Sequence, residues 1–180
     1  MNDAIGHILV VDDEPAMRDV LAALLRKHGY EVSTAAGFNS ARAELESQEF
    51  DLVVTDQKMP DGSGIDVQEV VLASDPTTPV VFLTAFATAD LAAEVFAKGA
   101  FDFITKPFIP EAVLASTARA IRHCRLMREN QRLKRAAQSH TSVAKIIGES
   151  EATKKVRSDI AKVAPTAATV LITGETGTGK

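Results

Sequence analysis

Ile8-Leu9-Val10-Val11-Asp12-Asp13-Glu14-Pro15 runs four apolar residues into three acids and a proline. Two further short apolar runs end in the same way: Leu52-Val53-Val54-Thr55 meets Asp56, and Phe103-Ile104-Thr105 meets Lys106. Runs of this length, bounded by turn or helix signals and alternating with helical patterns, read as buried strands of a parallel sheet. Ligands of open parallel sheets bind in the crevice at the carboxyl ends of the strands. Asp12, Asp13, Asp56 and Lys106 are therefore expected to converge there.

Helical signals fill the gaps. Met17, Val20, Leu21, Leu24 and Leu25 form one apolar stripe, with Pro15 in the first turn and Gly29 as a stop. A second strand is expected over Val32 to Ala35, and helices around Asn39 to Ser47 and Ile65 to Ala73. Pro79 opens a strand from Val80 to Leu83, and Leu91 and Val95 mark a fourth helix closed by Gly99. The expected fold is α/β, a five-stranded doubly wound parallel sheet.

The expected convergence carries an electrostatic cost. Two carboxylates about 4 Å apart repel by roughly 4 kcal/mol at an effective dielectric near 20, and a third shares the pocket. Oxygen donors without His or Cys favour a hard cation, Mg2+ or Mn2+. Lys106 adds a fixed positive charge. A metal, a lysine and a central carboxylate suit phosphoryl transfer onto that carboxylate, because Asp can act as a covalent nucleophile. Taken singly, Asp12 and Asp13 could merely open a helix, Asp56 cap a turn, Thr84 satisfy a backbone group and Phe103 fill a sheet face.

The ordered set of motifs resembles the receiver domain of bacterial two-component response regulators from Ile8 to about Leu114. Val10-Val11-Asp12-Asp13-Glu14-Pro15 is similar to the acidic pair after the first strand. Asp56-Gln57-Lys58-Met59-Pro60, followed by Gly62 and Gly64, resembles the phospho-acceptor turn. Leu83-Thr84-Ala85 matches the switch threonine, Phe103 the aromatic switch position, and Lys106-Pro107-Phe108 the lysine with its proline, usually a cis bond. The resemblance implies a flavodoxin-like strand order 2-1-3-4-5 and transfer from a histidine kinase onto Asp56. It also implies Mg2+ held by Asp12, Asp13, Asp56 and the backbone carbonyl of Lys58. Thr84 and Lys106 would then pair with phosphoryl oxygens, and Phe103 would move into space that Thr84 leaves.

Beyond Pro110 one helical pattern runs to about Ser139. Arg119, Arg122, Arg125, Arg128, Arg132, Lys134 and Arg135 outweigh Glu129, and Leu126, Asn130, Leu133 and Ala137 alternate at four and three. That spacing is compatible with a short parallel coiled coil joining two copies, with a solvated surface helix, or with a basic DNA-binding helix. Further on, Val156, Ile160 and Val163 mark a helix, and Thr169 to Thr173 is expected to be a strand. Gly174-Glu175-Thr176-Gly177-Thr178-Gly179-Lys180 then reads G-x-x-x-x-G-K, a loop whose N–H groups and lysine cradle the phosphates of ATP. With Ile147-Gly148-Glu149-Ser150 before it, this segment resembles the start of the AAA+ domain of sigma-54-dependent transcription activators of the nitrogen-regulation group.

The expected organisation is a receiver over 1–118, a linker over 119–140 continuing the fifth helix, and the beginning of an AAA+ domain over 141–180, poorly packed without the rest of its sheet. ATP is expected to be bound only in the full-length parent, by the domain that the loop at Gly174–Lys180 begins, and sigma-54 RNA polymerase and DNA only through domains beyond Lys180, so the chain itself is expected not to be an enzyme. A net charge of −4 argues against nucleic-acid binding by charge over the whole chain, and the single cysteine excludes an internal disulfide. No run approaches membrane-spanning length and no apolar leader is evident, which together suggest a cytoplasmic protein. Two alternatives are a stand-alone receiver without transcriptional output and a Mg2+-dependent aspartyl phosphatase. The phosphatase would need an acid two residues after Asp56, where Lys58 stands. A flavin site would need a phosphate loop where Asp12, Asp13 and Glu14 repel phosphate.

Overall fold

The computed structural model describes residues 5–85, 89–140, 148–166, 169–171 and 173. It divides into two compact units, Met1–Gln131 and Arg132–Lys180.

The first unit alternates strands and helices: β1 (His7–Val11), α1 (Pro15–Lys27), β2 (Glu31–Ala35), α2 (Phe38–Ser47), β3 (Leu52–Asp56), β4 (Lys58–Met59), β5 (Gly62–Ser63), α3 (Gly64–Ser74), β6 (Val80–Thr84), α4 (Ala89–Ala97), β7 (Asp102–Thr105) and the part up to Gln131 of α5 (Pro110–His140). The five longer strands form one parallel sheet in the order β2-β1-β3-β6-β7. With the short antiparallel pair β4-β5 set apart, this is the expected 2-1-3-4-5 order. The hairpin was not foreseen, because two-residue strands carry no periodicity.

Strand alternation sorts the core into two layers. Ile8, Val10, Leu52, Val54, Val81 and Leu83 pack with Leu21 and Leu25 of α1 and Val113, Ala120 and Ile121 of α5. Leu9, Val11, Val53, Val80 and Phe82 face the other way, onto Ala41 of α2, Val67 and Val71 of α3 and Val95 of α4. Each buried Val, Leu, Ile or Phe contributes about 1.5–3 kcal/mol over an exposed one, which explains why the strands read as continuous apolar runs. α1 has Pro15 in its first turn and Arg26 and Lys27 in its last, where cations suit the helix dipole. Gly29, at φ 87°, supplies the left-handed turn into β2.

Helix α5 lies on the sheet and is tied down along its length by ion pairs. Asp102 accepts from Ser116 Oγ and Arg119 Nη2, each at 2.6 Å. Further along, Arg128 reaches the segments that lead into β3 and β6. Its Nη1 donates to Asp51 at 2.6 Å, and its Nη2 donates to the Phe50 carbonyl at 2.8 Å and to Asp75 at 3.1 Å. Burial alone would push Asp75 up, but donors from Thr77 and then Arg128 hold its carboxyl below the usual range. Between these anchors Cys124 is buried, and desolvation pushes its thiol up to about 11. Leu126, Asn130 and Leu133 of the proposed seam are exposed, and the side chain of Ala137 lies outside the described residues.

In the second unit α6 (Glu151–Val163) begins at Ser150, whose side chain accepts from the Thr153 N–H at 3.2 Å. None of its residues is buried, and Val156 and Ile160 are exposed. The strand expected over Thr169 to Thr173 is corrected: residues 169–171 and 173 are not in a strand. A strand needs a neighbour to accept its ladder of hydrogen bonds, and the described residues of this unit provide none.

Arg128→Ala should lower the unfolding free energy by about 1–2 kcal/mol, the cost of leaving Asp51 and Asp75 without their charged donor at a site about one-third exposed. Urea unfolding checks this, and an unchanged midpoint would show that α5 is held by its apolar face alone.

Candidate functional site

Strand register assembles the site. Val11 pairs with Thr55, Asp56 with Leu83, and Thr84 with Thr105. The strands thus finish at one level, and Asp12, Asp56, Thr84 and Lys106 all stand at or just past those ends. Phe103 pairs with Phe82, two residues before Thr84, so by strand alternation Phe103 and Thr84 lie on one face of the sheet. Phe103 is half-buried against the core layer of α2, α3 and α4.

Lys106 holds the centre. Its Nζ donates to Asp12 Oδ2 at 2.6 Å and to Asp56 Oδ2 at 2.7 Å. The three side chains are only 12%, 1% and 15% exposed, respectively. Burial pulls the ammonium pKa down, but its hydrogen bonds to Asp12 and Asp56, backed by their charges, outweigh burial and hold it above the ordinary lysine value. Stability from this shift is complete below the unfolded lysine value and is lost as pH rises through the folded one.

Every other polar atom of Asp12 is also engaged. Its N–H donates to the Ala35 carbonyl at 3.2 Å and its Oδ1 accepts from the Glu14 N–H at 2.9 Å. Its carbonyl accepts from Arg18 Nη1 at 2.6 Å. Asp56 Oδ1 accepts from the N–H groups of Gln57 at 2.5 Å and Lys58 at 3.4 Å. Gly64 completes the turn by donating its N–H to the Gln57 carbonyl at 3.1 Å. A Cβ there would sit 2.5 Å from the Asp56 carbonyl oxygen and 2.8 Å from the Phe82 ring, so the close approach requires glycine.

Asp12, Asp13 and Asp56 each offer a carboxylate oxygen, all within 4.8 Å of one another. This oxygen set, with Asp13 exposed at the mouth, fits a hard divalent cation such as Mg2+. Lys58 lies on β4, two residues after Asp56, and the Lys106-Pro107 bond is cis. Gly174 to Lys180, the expected nucleotide loop, lies outside the described residues. Arg18 had no sequence signal, since its bond is to a backbone carbonyl. The Ser63-x-x-Asp66 capping box that fixes the start of α3 was readable as a motif and was not singled out.

A family model described as "Response regulator receiver domain" matches residues 8–118, and one described as "Sigma-54 interaction domain" matches residues 146–180. The chain is similar to the C4-dicarboxylate transport transcriptional regulatory protein DctD of Rhizobium meliloti, 32% identical over 98% of this chain and 38% of that protein. Among solved structures, NtrX from Brucella abortus in complex with ADP aligns at TM-score 0.65 and 30% identity, covering 91% of this chain and 35% of that one. The beryllofluoride-activated NtrC4 receiver domain dimer aligns at TM-score 0.63 and 31% identity, covering 66% and 98%. The chain spans 36–38% of the length of the curated relatives it matches.

Lys106→Met should leave Asp12 and Asp56 facing each other without their cation. The expected loss is about 2–4 kcal/mol in metal-free buffer. Added Mg2+ should restore more stability to the variant than to the parent chain, because an ion that binds only the folded state stabilises it by mass action. Urea titrations with and without Mg2+ read both effects, and a loss unaffected by Mg2+ would contradict a shared cation site.

Proposed function

From the premise that this chain belongs to the response regulator receiver family, we propose that it accepts a phosphoryl group on Asp56 from a histidine kinase and passes the change to a sigma-54-dependent transcription activator. The observation that carries this reading is the carboxylate of Asp56, almost buried beside Asp12 and bridged to it by Lys106.

In the proposed reaction a carboxylate oxygen of Asp56 attacks the phosphorus of a phosphohistidine. The P–O bond forms as the P–N bond breaks, and the imidazole nitrogen leaves with the electron pair. Asp12, Asp13, Asp56 and the Lys58 carbonyl would hold Mg2+, which neutralises charge on the phosphoryl oxygens when bound. Lys106 already spans Asp12 and Asp56, so it is within a short movement of a phosphoryl oxygen on Asp56. The Thr84 hydroxyl, at the end of the adjoining strand, would donate to another.

The output follows from the shared face of Thr84 and Phe103. If Thr84 is drawn towards the new anion, Phe103 moves into the vacated space and alters the surface formed by α4, β7 and α5. α5 runs on to His140 and would carry that change through a linker that pairs two copies. The match of residues 146–180 to the sigma-54 interaction domain supports a transcriptional output, with ATP bound by the loop from Gly174 to Lys180 in the whole protein. Among the described residues no helix is long and apolar enough to cross a membrane. The phosphatase reading lacks its general acid, because Lys58 occupies the position two beyond Asp56.

Incubation with acetyl phosphate and Mg2+ should load one phosphoryl group per chain, and none onto Asp56→Asn, while sedimentation of the loaded sample should report a change in self-association. Sustained donor turnover without accumulation would favour the phosphatase, and loading without any change in sedimentation would remove the linker from the signal path.

A further inference from the structure

The turn after Asp56 is anchored at two ends, and only one anchor lies in the pocket. At the near end, Gln57 and Lys58 donate their N–H groups to Asp56 Oδ1. From there the chain makes the β4-β5 hairpin, in which Lys58 pairs with Ser63 and Met59 with Gly62, leaving Pro60 and Asp61 at the tip. Asp61 then reaches across to a different element. Its Oδ1 accepts from the Phe38 N–H at 2.9 Å and its Oδ2 from the Asn39 N–H at 3.0 Å.

Those two donors are the first N–H groups of α2, and they need an outside acceptor. The residue at the cap position is Gly37, which has no side chain to offer. The Ser40 hydroxyl is occupied with the N–H groups of Ala36 and Gly37. Asp61 thus supplies from the hairpin tip the cap that α2 lacks locally. Both of its donors hold its carboxyl below the usual range, the Asn39 N–H first and the Phe38 N–H second.

Two glycines make room for this contact. A Cβ on Gly37 would lie 2.3 Å from Asp61 Oδ1, and a Cβ on Gly62 would lie 2.7 Å from Phe38 Cβ. Gly37 has φ 171°, an extended conformation open to any residue, so clearance for the carboxylate is the demand on that position. The hairpin cannot shift away from α2 without breaking two charge-assisted hydrogen bonds, and it cannot move closer.

We propose that Asp61 is a positioning residue for the cation site: by clasping the hairpin tip to α2, it holds the Lys58 carbonyl in place beside Asp12, Asp13 and Asp56. This rests on the receiver reading, in which that carbonyl is a ligand. The clasp acts on a backbone group that no side-chain substitution at Lys58 can remove, which makes Asp61 the accessible handle on it. Groups that orient ligands in this indirect way typically alter metal affinity by about 10–100-fold.

The test is Mg2+ titration of the whole chain by calorimetry, with hydrogen exchange at residues 58–63. Asp61→Ala should weaken Mg2+ binding about tenfold and speed exchange across the hairpin. Asp61→Asn, which keeps one acceptor oxygen, should weaken it less. Gly37→Ala keeps the carboxylate but pushes it from its seat, so it should reproduce the Asp61→Ala loss. The Mg2+ concentration for half-maximal phosphoryl uptake should rise by the same factor in each. Unchanged Mg2+ affinity in Asp61→Ala, with faster exchange only at Phe38 and Asn39, would overturn the proposal and leave Asp61 a helix cap. A parent chain that takes up no Mg2+, or whose uptake survives Asp56→Asn and Asp12→Asn, would instead overturn the receiver reading on which the proposal rests.

Discussion

Two carboxylates buried side by side at the carboxyl edge of a sheet are tolerated only if a cation stays between them, and Lys106 is that cation. Asp12 and Asp56 approach one ammonium at 2.6 and 2.7 Å. At an effective dielectric near 20 the repulsion between two charges about 4 Å apart is roughly 4 kcal/mol, which is comparable to the net stability of many domains. The register of β1, β3, β6 and β7 is therefore a chemical requirement as well as a packing result. A slip of one residue would move each side chain to the other covered face, where it packs against different helices, and would separate Lys106 from both acids. In the proposed reaction, a cation held by the three acids and the Lys106 ammonium would together meet the added charge of a phosphoryl group.

From that centre, constraint spreads along two routes. One follows the turn after Asp56 through Gly64, which leaves no space for a side chain, and through the hairpin to α2. The other follows β6 and β7 to α5. Asp102 and the Asp51–Asp75 pair hold that helix at two places, through Arg119 and Arg128. A helix held at two places suits the proposed role of carrying a change at Phe103 towards the linker.

What could be read from the sequence was what repeats or what alternates. The apolar runs, the acids at their ends and the helical stripes marked the strands and helices and most boundaries to within a residue or two, whereas the strand order came from the resemblance to the receiver family. The acids and lysine converged as expected because the register of the parallel strands brings their carboxyl ends to one level. The hairpin at Lys58–Met59 and Gly62–Ser63, the bond from Arg18 to the Asp12 carbonyl and the cap from Asp61 were not legible. Each depends on a backbone atom, and backbone atoms carry no sequence identity. The strand expected over Thr169 to Thr173 failed for a related reason. Its β-branched residues gave a local preference, but strand formation is decided by a neighbour that the pattern cannot show.

The central claim is that Asp56 is the residue that becomes covalently modified. Borohydride reduces an aspartyl phosphate to homoserine, so reductive trapping after exposure to a phosphoryl donor and Mg2+, followed by peptide mass spectrometry, locates the modified side chain directly. The account predicts homoserine at position 56, none at Asp12 or Asp13, and none anywhere when Mg2+ is withheld. Homoserine at another acid, or a phosphoryl group that resists borohydride and so sits on a hydroxyl or imidazole, would contradict it.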